Sequence, residues 1–228
     1  MKLLTNPSFD NLNFKLSMEL VDSKIDGKLE SYSCKLTSHN KVLWKRFNKC
    51  EFGHSSCDLQ YLGYPRNFGE FSNATSKSAP PKEGTLCDMI DRKTLFYLIA
   101  TLNASFYPDY DFSFSSSEDF SREPSLEFVM NQVDKLLGTT CGAAYVHKLR
   151  EEMWSTMDKE ISLKDCQIYS FNPPTDEDPA SDDGAFWGFY YFFYNHTLKR
   201  IVFFTCKSVP TLYDSGLGDT LSLSESYE

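Results

Sequence analysis

The chain has 228 residues, room for one large α/β domain or two small ones. Hydrophobic residues make up 41%, with 19 Phe and 13 Tyr, which is enough apolar matter for a core and excludes wholesale disorder. Asp and Glu total 32 against 23 Lys and Arg, a net charge of −9, so strong direct nucleic-acid binding is not expected unless the few bases cluster.

Met1-Lys2-Leu3-Leu4 is followed at once by Asn6-Pro7 and offers no long apolar core for a secretory signal. The longest nearly apolar run, 95–102, is far too short to span a bilayer, and no membrane association is expected. Seven cysteines, an odd number scattered without a framework, read as reduced thiols of the cytosol or nucleus.

In chain order, Asn6 reads as an N-cap and Pro7 as the first helical residue, with Phe9, Leu12, Leu16 and Leu20 on one face. A strand follows over about 25–36. Its apolar residues are odd-numbered at Ile25, Gly27 and Leu29 and even-numbered at Tyr32, Cys34 and Leu36, which predicts a β-bulge near Glu30-Ser31. Between 37 and 88 the pattern breaks down. A short helix over 41–50, around Val42, Leu43 and Phe47, gives way to Gly, Pro, Ser and Asn, as in the run 72–81, and the region reads as a flexible insertion.

The strongest helix begins near Asp91, with Leu95, Leu98, Ile99, Leu102 and Phe106 on one stripe and Pro108 as its stop. A polar, aromatic-studded loop runs to Ser125. Leu126, Val129, Met130, Val133 and Leu137 mark a helix ending at Gly138, and Val146, Leu149, Met153, Trp154 and Met157 mark another. The last third turns to strands at 166–171, 186–194 and 200–206, the last two forming a hairpin. Neither hairpin strand alternates, so both need cover on both sides and helices should lie on each face of the sheet. Beyond Lys207, Asp214, Asp219, Glu225 and Glu228 stand without a base and read as an acidic tail.

Four patterns carry chemistry. Cys50-x3-His54-x2-Cys57 puts three zinc-ligand types within eight residues, with Cys87 or His39 as a fourth, but it lacks the paired knuckles of structural zinc and reads as chance clustering; no metal or other cofactor is expected. The four His lie at 39, 54, 147 and 196, away from any nucleophile motif, and no phosphate loop or dinucleotide fingerprint appears, so the chain does not read as an enzyme. The aromatic run 187–194 resembles an RNA-binding strand superficially, but with an acidic loop before it and a hairpin after it, core packing is the better reading. Asp176, Glu177, Asp178, Asp182 and Asp183 place five acids in one short loop without a base. That loop is either solvated charge or a docking patch for a basic partner surface.

Several stretches, in order, resemble the Maf-type global repressors of RNA polymerase III: ESYSCK at 30–35, RKTLFYLIATLN at 92–103, PDYDFS at 108–113, FSREPS at 120–125, CQIYSFNP at 166–173, YYFFYN at 190–195 and LKRIVFF at 198–204. The resemblance covers most of 1–36 and 90–207. It implies an α/β (α+β) fold with a central antiparallel β-sheet, helices and an interrupting flexible linker. The segments are then an N-terminal helix and strand at 1–36, a linker at 37–89, the main α/β region at 90–207 and an acidic tail at 208–228. The implied function is negative regulation of transcription: binding the clamp and winged-helix subunits of RNA polymerase III and blocking its recruitment to the promoter-bound initiation factor. Nutrient-responsive kinases and a phosphatase are the implied regulators, acting on the linker of a phosphoprotein found in nucleus and cytoplasm. The linker holds no Ser-Pro, and Ser76 and Ser78, flanking Lys77, are the positions that match the family's phosphorylated segment. The alternatives are an RNA-binding or a small-molecule-binding regulatory domain; the first needs a basic stripe with exposed rings, the second an apolar pocket with converging polar groups.

Overall fold

Residues apolar at nearly every position of a strand must be covered on both of its faces, and the pairing of the two such runs fixes the architecture. The computed structural model describes residues 1–50, 59–63, 88–143 and 145–211. Its strands are β1 (Lys2–Leu4), β2 (Met18–Glu19), β3 (Ser23–Ser33), β4 (Leu59–Tyr61), β5 (Met89–Asp91), β6 (Phe120–Arg122), β7 (Gln167–Phe171), β8 (Trp187–Asn195) and β9 (Arg200–Pro210). Its α-helices are α1 (Pro7–Leu16), α2 (Ser38–Cys50), α3 (Arg92–Ser105), α4 (Leu126–Cys141), α5 (Arg150–Ile161) and the short α6 (Pro179–Asp182).

The two aromatic runs, β8 and β9, lie side by side in an antiparallel sheet ordered β1-β3-β9-β8-β7-β6, with β2 alongside β3. β4 and β5 pair separately. On one face, Ile25, Leu29, Phe189, Tyr191, Phe193, Val202 and Phe204 pack against the apolar stripes of α1, α4 and α5. On the other, Tyr32, Tyr190, Phe192, Tyr194, Ile201 and Phe203 pack against α3, which is buried from Thr94 to Leu102. Outside α3 lies α2, whose Trp44 and Phe47 rings sit 5.2 and 5.6 Å from that of Phe96. The sheet is thus covered by helices on both faces, and the rings of β8 from Phe189 to Tyr194 are buried core. Among the described residues no helix is long and apolar enough to cross a membrane.

The change of apolar phase along β3 has a different cause from the expected bulge. β3 pairs with β9 without interruption from Ser23↔Pro210 to Ser33↔Arg200. Ile25 and Leu29 face the layer of α1, α4 and α5 while Tyr32 faces α3, so two covered faces accommodate both phases in one regular strand. Two boundaries also move. α4 passes through Gly138 and ends at Cys141, because Gly142, at φ +56°, supplies the left-handed cap. β9 continues beyond Cys206 to Pro210 because β3 is long enough to pair with it, so residues 208–210 belong to the sheet and not to a tail. Within the linker span, α2 and β4 are regular structure; the remainder, 51–58 and 64–87, lies outside the described residues, as do 212–228.

Polar side chains tie these layers together. Asn6 caps α1, its Oδ1 accepting from the amides of Ser8 and Phe9 at 3.0 and 3.4 Å. Asn13 reaches from α1 to the stretch of β3 that neither β1 nor β2 pairs, accepting from Leu29 N at 2.7 Å and donating to Leu29 O at 3.0 Å. Glu160 on α5 joins three elements. It accepts from Ser31 Oγ of β3 at 2.7 Å, from Arg200 Nη1 of β9 at 2.8 Å and from Asn6 Nδ2 at 3.0 Å. On the opposite face Glu30, buried at 9% exposure, accepts from Tyr32 Oη at 3.0 Å and from Ser105 Oγ at the end of α3, and pairs with Lys28 at 2.8 Å.

Candidate partner-docking site

The five acids between β7 and β8 sit on a segment that Pro173-Pro174 starts and α6 turns back toward the sheet. The segment is anchored by packing. Ala180 is buried against β8 at Gly188, where a β-carbon would stand 2.6 Å from that of Ala180, so only glycine permits this approach. Tyr190 completes the anchor. Its hydroxyl donates to Asp178 Oδ1 at 2.7 Å and accepts from Ala180 N at 3.0 Å, while burial, followed by the Asp178 charge, pushes the phenol's pKa far up. The neighbouring Phe186 amide donates to Ser208 O of β9 at 2.7 Å.

The acids therefore differ in what they do. Asp178 is half-buried and caps α6, accepting from Ala180 N at 2.9 Å, so its charge is turned inward and it belongs to the scaffold of the loop. Asp176, Glu177, Asp182 and Asp183 are exposed. Asp182 accepts from Tyr110 Oη at 3.0 Å, and Asp183 pairs with Lys207 of β9.

The Tyr110 bond joins to the first a second acidic segment, within the aromatic-studded loop that precedes Ser125. Burial pushes the Tyr110 phenol up to about 12, and Asp182, Asp183 and Asp109 push in the same direction. Asp109 and Asp111 are exposed, and the Asp111 carboxyl is held below its ordinary value by the hydroxyl and amide of Ser113. Phe186 stands beside this negative field at 54% exposure. An apolar ring at the end of a rigid acidic loop suits a basic protein surface, with charge steering the approach and the ring supplying a desolvated contact.

Beneath the loop lies a cleft of about 40 Å³, lined among others by Glu123, Ser170, Asn172 and Asp178. Glu123 is 8% exposed; Ser170 Oγ donates to its Oε1 at 2.6 Å, its Oε2 has no hydrogen-bond partner among the described residues, and burial raises its pKa. Ser76 and Ser78, and His54, Cys57 and Cys87 of the candidate zinc pattern, lie outside the described residues. Among the described residues no group of three or more His, Cys, Asp or Glu is arranged to hold a metal ion.

Similarity to known proteins covers this architecture nearly end to end. The model of the Maf1 regulator family matches residues 25–205, which run from β3 through β9 and include both acidic segments. The chain is 37% identical over 205 residues to the repressor of RNA polymerase III transcription maf1 of Schizosaccharomyces pombe, covering 89% of this chain and 81% of that protein. It is 32% identical over 242 residues to the repressor of RNA polymerase III transcription of Dictyostelium discoideum, covering 93% and 86%. In three dimensions it resembles the crystal structure of citrus MAF1, with a TM-score of 0.61 at 29% identity, covering 90% of this chain and 99% of that one. With the family model matched over residues 25–205 and relatives above 30% identity along most of both lengths, the chain belongs to the Maf1 regulator family.

Proposed function

We propose that the chain represses transcription by RNA polymerase III by binding the polymerase. The observation that carries this reading is the similarity, over most of both lengths, to proteins of two distant organisms that share the name of repressors of that transcription. The acidic segments at 109–111 and 176–183, with Phe186, are the proposed contact, because steering by opposite charge suits an acidic protein meeting the basic surfaces that border a polymerase's nucleic-acid channels. Docking on the clamp and winged-helix subunits would block recruitment of the enzyme to its promoter-bound initiation factor. The test is transcription of a transfer-RNA gene by purified polymerase and initiation factor. Added protein should lower the yield of initiation and leave elongation from stalled complexes unchanged; equal loss of both would contradict a block at recruitment.

The regulatory part of the proposal concerns the linker. Phosphorylation at Ser76 and Ser78 by nutrient-responsive kinases adds about −1.5 to −2 charges per site to an acidic chain, and a phosphatase reverses it, with corresponding shifts between cytoplasm and nucleus. Ala and Glu variants at both serines that repress equally in cells would remove these two positions from the mechanism.

A further inference from the structure

On the α3 side of the sheet, at the β8–β9 turn, the structure holds a hollow of about 480 Å³, within the size range of small-molecule sites and opposite in charge character to the acidic segments. Four lysines line it: Lys35 after β3, Lys41 on α2, Lys93 on α3 and Lys199 in the turn. All four are exposed; Lys93 Nζ stands 6.0 Å from the centre of the Tyr97 ring, and among the described residues none of the four forms an ion pair with a carboxylate. The single carboxylate in the lining, Asp91, has both oxygens engaged by Thr94, Oδ1 by its amide at 2.9 Å and Oδ2 by its hydroxyl. One wall is aromatic, with the His196 ring lying 4.2 Å from that of Tyr194.

Such a cluster is unusual for a chain of net charge −9. Ammonium groups gathered around one concavity give it a local positive field that a polyanion would meet, with Asp91 the one opposing charge in the lining. Lys199 adds an independent sign. It adopts φ +50°, a left-handed conformation that is strained for a non-glycine residue and that glycine would adopt freely. The turn thus keeps a lysine at a strained position on the rim of the hollow. Its carbonyl accepts from Cys34 N at 2.9 Å, which fixes the turn against the end of β3.

We propose that this hollow is a binding site for a compact polyphosphate anion, held by Lys35, Lys41, Lys93 and Lys199. A nucleoside triphosphate and an inorganic polyphosphate both present that chemistry. Lysines act on it as point charges, and the exposed His196 ring, backed by the buried Tyr194, offers a stacking surface to a base.

The experiment is calorimetric titration of the full chain with ATP and, separately, with inorganic triphosphate, at low and at physiological salt. The wild type should bind both in a saturable, salt-dependent way with one site. The triple variant Lys35→Gln/Lys93→Gln/Lys199→Gln should bind at least tenfold more weakly while melting as the wild type does. Equal affinity for the two probes identifies the phosphates as the whole determinant; tighter binding of ATP adds the His196 ring. Lys199→Gly separates charge from strain, because it should melt no lower than the wild type yet bind more weakly. Absence of saturable binding of either probe at millimolar concentration, or binding that the triple variant retains, would overturn the proposal.

Discussion

Tyr190 and Asp178 meet at 2.7 Å, a phenol of the sheet core donating to a carboxylate of the surface loop. The same hydroxyl accepts from Ala180 N, so one side chain of β8 holds the start of α6 in the loop that presents the acids. Tyr190→Phe removes a hydrogen bond to a charged group, worth about 1.5–3 kcal/mol, and leaves the Ala180 amide with only the Asp178 carboxylate. Thermal melting should fall by about 2–4 °C per kcal/mol lost, and amide exchange should quicken at Ala180 and Ser181 more than in β8. Uniform protection across loop and strand would show that the hydroxyl does not hold the loop.

Phe203 is fully buried on the α3 face of β9, its ring 4.7 Å from that of Phe192. Phe203→Ala should cost about 3–5 kcal/mol, a large share of a domain's stability. Denaturant unfolding measures it. A midpoint equal to that of the wild type would contradict a sheet packed on both faces.

Much of this core was legible in the sequence, because the hairpin runs are apolar at consecutive positions and only double cover explains that. Phe189, Tyr191, Phe193 and Phe204 went to one face and Tyr190, Phe192 and Phe203 to the other as such strands require. The phase change in β3 was visible but misassigned to a bulge, since a single strand's pattern does not say whether both faces are covered. β6 was missed, three residues being too few for periodicity to show. The acidic loop was legible as charge, but not the division of labour within it. That Asp178 turns inward depends on Tyr190, twelve residues on, and that Asp109 joins the field depends on Tyr110 reaching Asp182 across the fold. The lysine hollow had no local signature at all, because its members at 35, 41, 93 and 199 come together only in the fold.

Glu160 accepts hydrogen bonds from β3, from β9 and from the cap of α1, and its removal leaves Arg200 without its carboxylate partner. Glu160→Ala should destabilise by at least about 1.5–3 kcal/mol, and Glu160→Gln by less, since the amide oxygen still accepts. Chemical denaturation of both variants checks the order. Equal loss in both would assign the effect to charge alone and not to the three-way connection.

Glu123 governs a pH dependence of known sign. Its pKa is raised by burial, so the folded chain binds the proton more tightly than the unfolded chain. The stability it contributes is fully present below the ordinary carboxylate value and is lost as pH rises through the raised one. Glu123→Gln should therefore gain on the wild type as pH rises from 4 toward 7, with the two converging at the acid end. Melting curves at several pH values measure this, and a constant difference between the two proteins would contradict it.

The proposed contact with the polymerase is tested most directly by association kinetics. The variant is Asp176→Asn/Glu177→Gln/Asp182→Asn/Asp183→Asn, with Asp178 retained because it caps α6. Exposed pairs such as Asp183–Lys207 contribute little to folding, so its melting temperature should stay close to that of the wild type. Binding to purified RNA polymerase III is followed at two ionic strengths. The account predicts a slower association at low salt and a flattened salt dependence for the variant. An association rate at low salt equal to that of the wild type would contradict it.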